Sequence, residues 1–265
     1  MNVKKLFDLS NKVVVITGGA GLLGSQYAEG LTQAGANVII ADTNFEACKK
    51  IAKKLDQIYD KNSMPIKLDI TNKKSIDGMV NKILKKYSKI DVLINNAAIQ
   101  GNPKLRTTSF EEFPESEWGK ALDVNLTGMF LCCQKIGKVM VKQKKGVIIN
   151  VSSTYGIVAP DQRIYGKSGQ NAAAFYSATK SGVLNFTRYL ASYWNGKGIR
   201  VNTLSPGGVE KGQEKEFVKK YSAKTMLGRM ARKDEYVGAI IFLASDASSY
   251  MTGSNLIVDG GWTAW

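Results

Sequence analysis

Short apolar, β-branched runs alternate along the chain with longer segments whose apolar positions recur at helical spacing. VVVIT at 13–17 predicts a buried strand, and a helix follows over 22–34. NVII at 37–40, MPIKL at 64–68, DVLIN at 91–95, VIINV at 147–151, IRVNTL at 199–204 and NLIVD at 255–259 read as further strands. A helix from Phe45 places Phe45, Cys48, Ile51, Ala52, Leu55 and Ile58 on one stripe, and Ile76, Met79, Val80, Ile83 and Tyr87 form another. Further helices are predicted over 117–142, 175–195 and 233–244, with a charged helical stretch over 212–224. This alternation predicts an α/β fold, a doubly wound parallel sheet of Rossmann type with helices on both faces. No linker or repeat divides residues 1–265, so a single domain is expected. Stretches 99–115 and 154–174 are too long for ordinary connections, and both follow strands at their carboxyl ends, where ligands bind in such sheets.

Composition narrows the chemistry. The net charge is +15, but the lysines are scattered over polar helix faces, with no arginine stripe interleaved with aromatics. The expectation is a solvated basic surface and no nucleic-acid partner. There is no histidine, which removes His-based catalysis and the commonest transition-metal ligand, so no metal is expected. Cys48, Cys132 and Cys133 form no CxxC pair, and no apolar run is long enough to span a membrane. A reducing, cytoplasmic setting is expected.

The turn TGGAGLLG at 17–24 lies between a predicted strand and a predicted helix. Glycines there bring backbone N–H groups close to a pyrophosphate, which also meets the positive end of the helix. Asp42 ends the second strand, 18 residues after Gly24, where a carboxylate can accept both hydroxyls of an adenosine ribose. The N-cap of the next helix is the alternative role, and the two are compatible. With uncharged Thr43 and Asn44 beside it and Ala20 in the turn, NAD is expected over NADP.

FYSATK sets Tyr176 and Lys180 one helical turn apart on one face. A nearby ammonium favours a phenolate, which makes the pair an acid–base device in a chain without histidine. Around it stand LDIT at 68–71, NNAA at 95–98, DVNLTG at 123–128, NVSS at 150–153, IRVNTLSPGG at 199–208 and MTGSNLIVDGG at 251–261. With these motifs in this order, the chain resembles the single-domain branch of the short-chain dehydrogenase/reductase family over nearly its whole length.

The resemblance implies an oxidoreductase that moves a hydride between nicotinamide and a CH–OH carbon. Tyr176 would be the general acid–base, Lys180 would hold the nicotinamide ribose and keep Tyr176 acidic, and Ser153 would position the carbonyl or hydroxyl. Asn125 would hold a water linking Lys180 to solvent. Gly18, Gly21, Leu22, Leu23 and Gly24 would line the pyrophosphate. Asp69 and Ile70 would meet the adenine, Asn95 and Ala97 would run along the cofactor, and Pro206, Gly207 and Val209 would shape the nicotinamide pocket. A homotetramer or homodimer built on helices over 116–142 and 175–195 is also implied.

Two departures stand out. Leu22 occupies the family's usual middle glycine, with Gly21 one place early, so Leu22 must point away from the pyrophosphate or the loop must shift. Ser153 and Tyr176 are 23 residues apart, longer than in most relatives, which reshapes the substrate pocket. A lid is expected over 208–225. Its Lys211, Lys215 and Lys219, with Arg163 and Lys167, suggest a polar and even anionic alcohol or ketone, such as a sugar or sugar phosphate. The ending DGGWTAW is similar to members of surface-glycan and flagellin-modification pathways. The alternatives are a silent dinucleotide-binding scaffold and a reductase of a non-sugar carbonyl.

Overall fold

A computed structural model describes residues 2–60 and 62–265. Seven strands, β1 (Val13–Thr17), β2 (Asn37–Asp42), β3 (Met64–Lys67), β4 (Val92–Asn95), β5 (Gly146–Val151), β6 (Ile199–Pro206) and β7 (Asn255–Val258), form one sheet ordered β3-β2-β1-β4-β5-β6-β7. Every pairing is parallel. The helices are α1 (Val3–Leu6), α2 (Leu22–Gln33), α3 (Phe45–Tyr59), α4 (Lys73–Tyr87), α5 (Glu115–Leu122), α6 (Met129–Gln143), α7 (Ala174–Tyr193), α8 (Lys215–Ser222) and α9 (Val237–Ala244). This is the doubly wound Rossmann fold.

Period-two alternation explains why both strand faces are apolar. Val13, Val15, Ile39, Leu93, Ile148 and Val201 face one core, which α4, α6 and α7 cover. Val14, Ile16, Val38, Ile94, Ile149 and Leu204 face the other, covered by α2, α3 and α9. The chain winds outward from β1 to β3 and then returns to place β4 on the other side of β1, so a crevice opens where the order reverses.

Several expectations are refined. The single helix foreseen over 117–142 is two helices joined by a π-helical turn, Asp123–Gly128. The helix foreseen over 233–244 begins only at Val237, and the charged stretch is helical only over Lys215–Ser222. On α3, Cys48, Ala52 and Leu55 are buried, whereas Ile58 at the far end of the stripe is 54% exposed. The long 154–174 connection is ordered by short 3-10 turns at Thr154–Gly156 and Gln162–Tyr165. It joins α8 and the C-terminus in a third apolar cluster, in which Ile164, Tyr221, Met230 and Trp262 are buried together. No helix among the described residues is long and apolar enough to cross a membrane.

Candidate active site

The glycine turn leaves β1 at the crevice and is clamped from β4. Thr17 Oγ1 accepts from the backbone N–H of Asn96 at 3.1 Å and of Ala97 at 3.2 Å, while Asn96 Nδ2 donates to the carbonyls of Thr17 and Gly18 at 3.2 and 3.0 Å. Gly18 has φ +63°, and a Cβ there would lie 2.8 Å from Ala97 Cα. A Cβ on Gly24 would collide with the Gly18 carbonyl oxygen. Gly21 precedes α2 and supplies no side-chain cap, so the first-turn N–H groups remain available to an anion. Leu22 resolves the departure in the motif: its side chain is 42% exposed and, with Leu23, lines the cleft rather than filling the turn.

Asp42 closes the same edge. Its Oδ2 accepts from Ala20 N at 3.2 Å and its Oδ1 from Asn44 N at 3.0 Å. The N-cap of α3 is Asn44, whose side chain accepts from Ala47 N at 3.1 Å, so capping does not account for Asp42. Asp69 is exposed, with Oδ1 taken by Thr71 N and Oγ1 at 2.9 and 2.7 Å.

Two expected cofactor residues point elsewhere. Ile70 is buried against Gly128, in the core beneath the crevice. Asn95 is also buried: its Nδ2 donates to Asn150 Oδ1 at 2.9 Å and to Cys133 Sγ at 3.1 Å. Asn150 donates in turn to Thr187 Oγ1, which also accepts from Thr203 Oγ1, tying β4, β5, β6 and α7 together. Strand alternation is the reason, since it sends the side chain of Asn95 into the core and leaves the next asparagine at the edge. Asn96 is therefore the residue the sequence reading missed. Its signal was a second asparagine just beyond the strand.

At the carboxyl ends of β5 and β6 the proton-handling side chains converge. Ser153 is the second residue beyond β5, and its Oγ accepts from Tyr155 N at 3.2 Å. Tyr176 and Lys180 share the first turns of α7, with Lys180 Nζ 5.8 Å from the Tyr176 ring centroid. Lys180 is 3% exposed and donates to the Val151 carbonyl at 2.8 Å. Burial pushes its ammonium down to about 8. The expected acidification of Tyr176 by Lys180 is not found in the chain alone. Burial raises the phenol, and the offsetting hydrogen bonds come from Ser153 and Gln100. Lys180 is turned toward Val151 instead.

Asn125 lies fully buried in the π-helical turn. Its Oδ1 accepts from Ile99 N at 2.8 Å, and its Nδ2 donates to Ile99 O at 3.1 Å and Thr179 Oγ1 at 3.2 Å. Both side-chain donors are used, so this amide ties the loop after β4 to α7 rather than donating to a water.

The cleft holds about 530 Å³, within the range of ligand pockets. Ser153, Tyr176, Pro206, Gly207 and Val209 line it. A Cβ on Gly207 would lie 2.8 Å from Asp259 Cα, so the strand end packs directly on the C-terminal segment. Gly208 N donates to Tyr221 Oη at 2.6 Å, which fixes α8 over the opening. Of the five cations expected near substrate, Lys211 alone lines the cleft. Arg163 is held outside by Asp161, and Lys167, Lys215 and Lys219 are absent from its walls. Arg106, which the sequence reading did not single out, does line it.

The profile of the family described as Enoyl-(Acyl carrier protein) reductase matches residues 19–263. The chain is 35% identical over 257 residues to the 3-oxoacyl-[acyl-carrier-protein] reductase FabG of Thermotoga maritima, covering 96% of this chain and 98% of that protein. The chain belongs to the short-chain dehydrogenase/reductase family. Another member is the NAD-dependent glycerol dehydrogenase of Listeria innocua, 34% identical over 98% of this chain and 96% of its own. Post-translational flagellin modification protein A of Campylobacter coli is 31% identical over 96% and 99%. Among solved structures, a short-chain type dehydrogenase/reductase from Mycobacterium marinum superposes with a TM-score of 0.89 at 32% identity, each chain fully covered. A gluconate 5-dehydrogenase from Burkholderia cenocepacia, in complex with NADP and tartrate, gives 0.88 at 29%, again with both chains fully covered. As a short-chain dehydrogenase/reductase, this protein is an NAD(P)-dependent oxidoreductase acting on CH–OH groups.

Proposed function

We propose that residues 1–265 act as one dinucleotide-binding domain that interconverts a secondary alcohol and a ketone with NAD, on a polar, polyol- or sugar-like substrate. The observation that carries this reading is that Ser153 and Tyr176 line a cleft reaching the uncapped start of α2, with the buried Lys180 beside the Tyr176 ring. The turn fits a dinucleotide: Gly18 and Gly24 leave no room for a Cβ, the N–H groups of the first turn of α2 have no side-chain cap, and Asp42 stands beside it. Asp42, with no cation at Thr43 or Asn44, supports NAD over NADP, because its charge would repel a 2′-phosphate.

When bound, the nicotinamide supplies the hydride donor or acceptor. Tyr176 gives or takes the carbinol proton, and Ser153 holds the carbinol oxygen. Lys180 places a cation below the phenol. The hydrogen bonds that oppose the rise burial imposes on Tyr176 come from Ser153 and Gln100. Asn125 is a positioning residue that holds Ile99 and Thr179 so that the loop after β4 and the catalytic helix keep their spacing. Gln100, Asn102 and Gln170 bring amides that can bond substrate hydroxyls to a cleft that Leu105, Phe113 and Phe217 also line. A surface-glycan setting is supported only by the likeness to the Campylobacter coli protein. Exposed Trp118, Phe130, Tyr189 and Tyr193 on α5, α6 and α7 offer an apolar face for self-association, which sedimentation at several protein concentrations tests.

The deciding experiment is a screen of polyols, sugars, sugar phosphates and 3-oxoacyl thioesters, followed by nicotinamide absorbance with NAD and NADP in parallel. The expected result is turnover of polyols or sugars with NAD. Activity with NADP alone would remove the cofactor assignment, and activity on thioesters alone would remove the substrate class.

A further inference from the structure

Arg106 differs from most arginines of the chain. Arg163, Arg229 and Arg232 are in ion pairs, and Arg200 donates to Ser248 Oγ and to the carbonyls of Leu243, Ser245 and Met251. The guanidinium of Arg106 has no ion pair or hydrogen-bond partner among the described residues, yet it lines the cleft. Arg188 is unpaired too and, like Arg106, exposed, but it lies on α7 outside the cleft walls. The charge of Arg106 reaches inward, because it draws the Tyr165 phenol down against the rise caused by burial. Lys211, on the loop after β6, is the other unpaired cation lining the cleft, and Glu214 is its one carboxylate.

The loop carrying Arg106 is not left to wander. Asn171, in the long connection between Ser153 and Tyr176, donates its backbone N–H to the Arg106 carbonyl at 2.8 Å and its Nδ2 to the Thr108 carbonyl at 2.8 Å. Gln162 holds the neighbouring Ala172 in turn, accepting from its N–H at 2.8 Å and donating to its carbonyl at 3.2 Å. An unpaired guanidinium on a braced backbone is a prepared seat for an anion: its planar fork matches carboxylate and phosphate oxygens, and less ordering remains to be done on binding.

We propose that the cleft takes an alcohol or ketone bearing a carboxylate or phosphate away from the carbinol carbon, seated on Arg106 and Lys211, and that the long 154–174 connection serves as the brace, with Asn171 setting Arg106 in place. This rests on the oxidoreductase reading for the carbinol end.

The test is calorimetry on the protein loaded with whichever of NADH or NADPH it binds, titrated with D-sorbitol, D-gluconate and D-sorbitol 6-phosphate. At least one anion binds about tenfold or more tightly than sorbitol, and the arm that wins separates carboxylate from phosphate. Arg106→Gln removes most of that ratio, and Arg106→Lys restores part of it. Asn171→Ala lowers the ratio about threefold or more through a weaker anion term, with the dinucleotide affinity unmoved. Lys167→Gln, an exposed cation outside the cleft, leaves the ratio as it was. Equal affinities for charged and neutral ligands, binding of none of them, or a preference that survives Arg106→Gln overturns the anion seat. Asn171→Ala behaving as wild type overturns the brace. Turnover of sorbitol with no preference for anions removes this proposal and leaves the oxidoreductase reading standing. Tight anion binding without turnover of any polyol does the reverse.

Discussion

The dinucleotide edge and the substrate wall share one crevice but are held by different forces. At the edge, backbone meets backbone: Gly18 against Ala97, Gly24 against the Gly18 carbonyl, and Asn96 bonded to two main-chain oxygens. At the wall, side chains do most of the holding, beside the close approach of Gly207 to Asp259 and the Asn171 N–H on the Arg106 carbonyl. Tyr221 stacks on Trp262 at 4.3 Å between centroids, Tyr165 lies 5.3 Å from Phe217, and Asp161 is shared by Arg163 and Lys224. Those two cations hold the Asp161 carboxyl well below the usual range. Backbone contacts leave no slack, so an added methyl must move a strand or a helix. Side-chain contacts can be exchanged one at a time. The edge is therefore suited to one fixed ligand, and the wall to variation in substrate.

Tyr176 stands where the two regions meet, and its replacement has the largest expected effect. Tyr176→Phe lowers kcat by roughly 10²–10⁴-fold while the dinucleotide affinity by fluorescence titration stays near that of wild type. Full activity in this variant would end the acid–base assignment. Gly24→Ala probes the edge next. Its methyl strikes the Gly18 carbonyl, so both thermal stability and dinucleotide affinity fall, at a cost of about 1–3 kcal/mol. Gly21→Ala is the control within the same turn. A methyl there lies 3.2 Å from the same oxygen at an ordinary φ of −74°, and the loss is small. Equal losses in the two variants would break the view that the edge is held by close backbone approach.

Lys180 gives a pH test of the ground beneath both regions. Its ordinary value is 10.5 and burial brings it to about 8, so between these values the unfolded chain holds the extra proton. Stability from this group is therefore lowest below pH 8 and rises as pH climbs toward 10.5. The slope is at most about 1.4 kcal/mol per pH unit. Buried tyrosines that resist ionisation act in the opposite sense near pH 10, so the quantity to measure is wild type minus Lys180→Met by chemical denaturation between pH 8 and 10. No difference in slope would mean the ammonium is not desolvated.

How far the sequence showed these two regions follows from the range of the interactions. The strands and the glycine turn were legible because apolar runs and glycine spacing are local signals. So were Ser153, Tyr176 and Lys180, which lie in short motifs. The aim of Asn95 and Asn96 was not, since adjacent amides look alike until strand alternation is fixed. Nor was the direction of Lys180, because its partner is a main-chain oxygen, and every residue has one. The π-helical turn at Asp123–Gly128 hides in a pattern that continues as a helix on either side. Asn171 holds Arg106 and Thr108 across more than 60 residues of chain, and nothing near it in the sequence announces those partners.

The smallest effect belongs to the wall, and it separates stacking from hydrogen bonding there. Tyr221→Phe keeps the ring on Trp262 and removes the hydroxyl that accepts from Gly208 N and also bonds Thr154. A Cβ on Gly208 would lie 2.6 Å from that ring, so no other side chain can move in and water has little room. The orphaned N–H costs about 1 kcal/mol, and it is felt where α8 closes over the cleft. The expected result is a KM for the alcohol raised about fivefold, with kcat and dinucleotide affinity unchanged. A rise in the dinucleotide Kd to match would show that edge and wall act as one body, because a loss confined to α8 has no other route to the glycine turn.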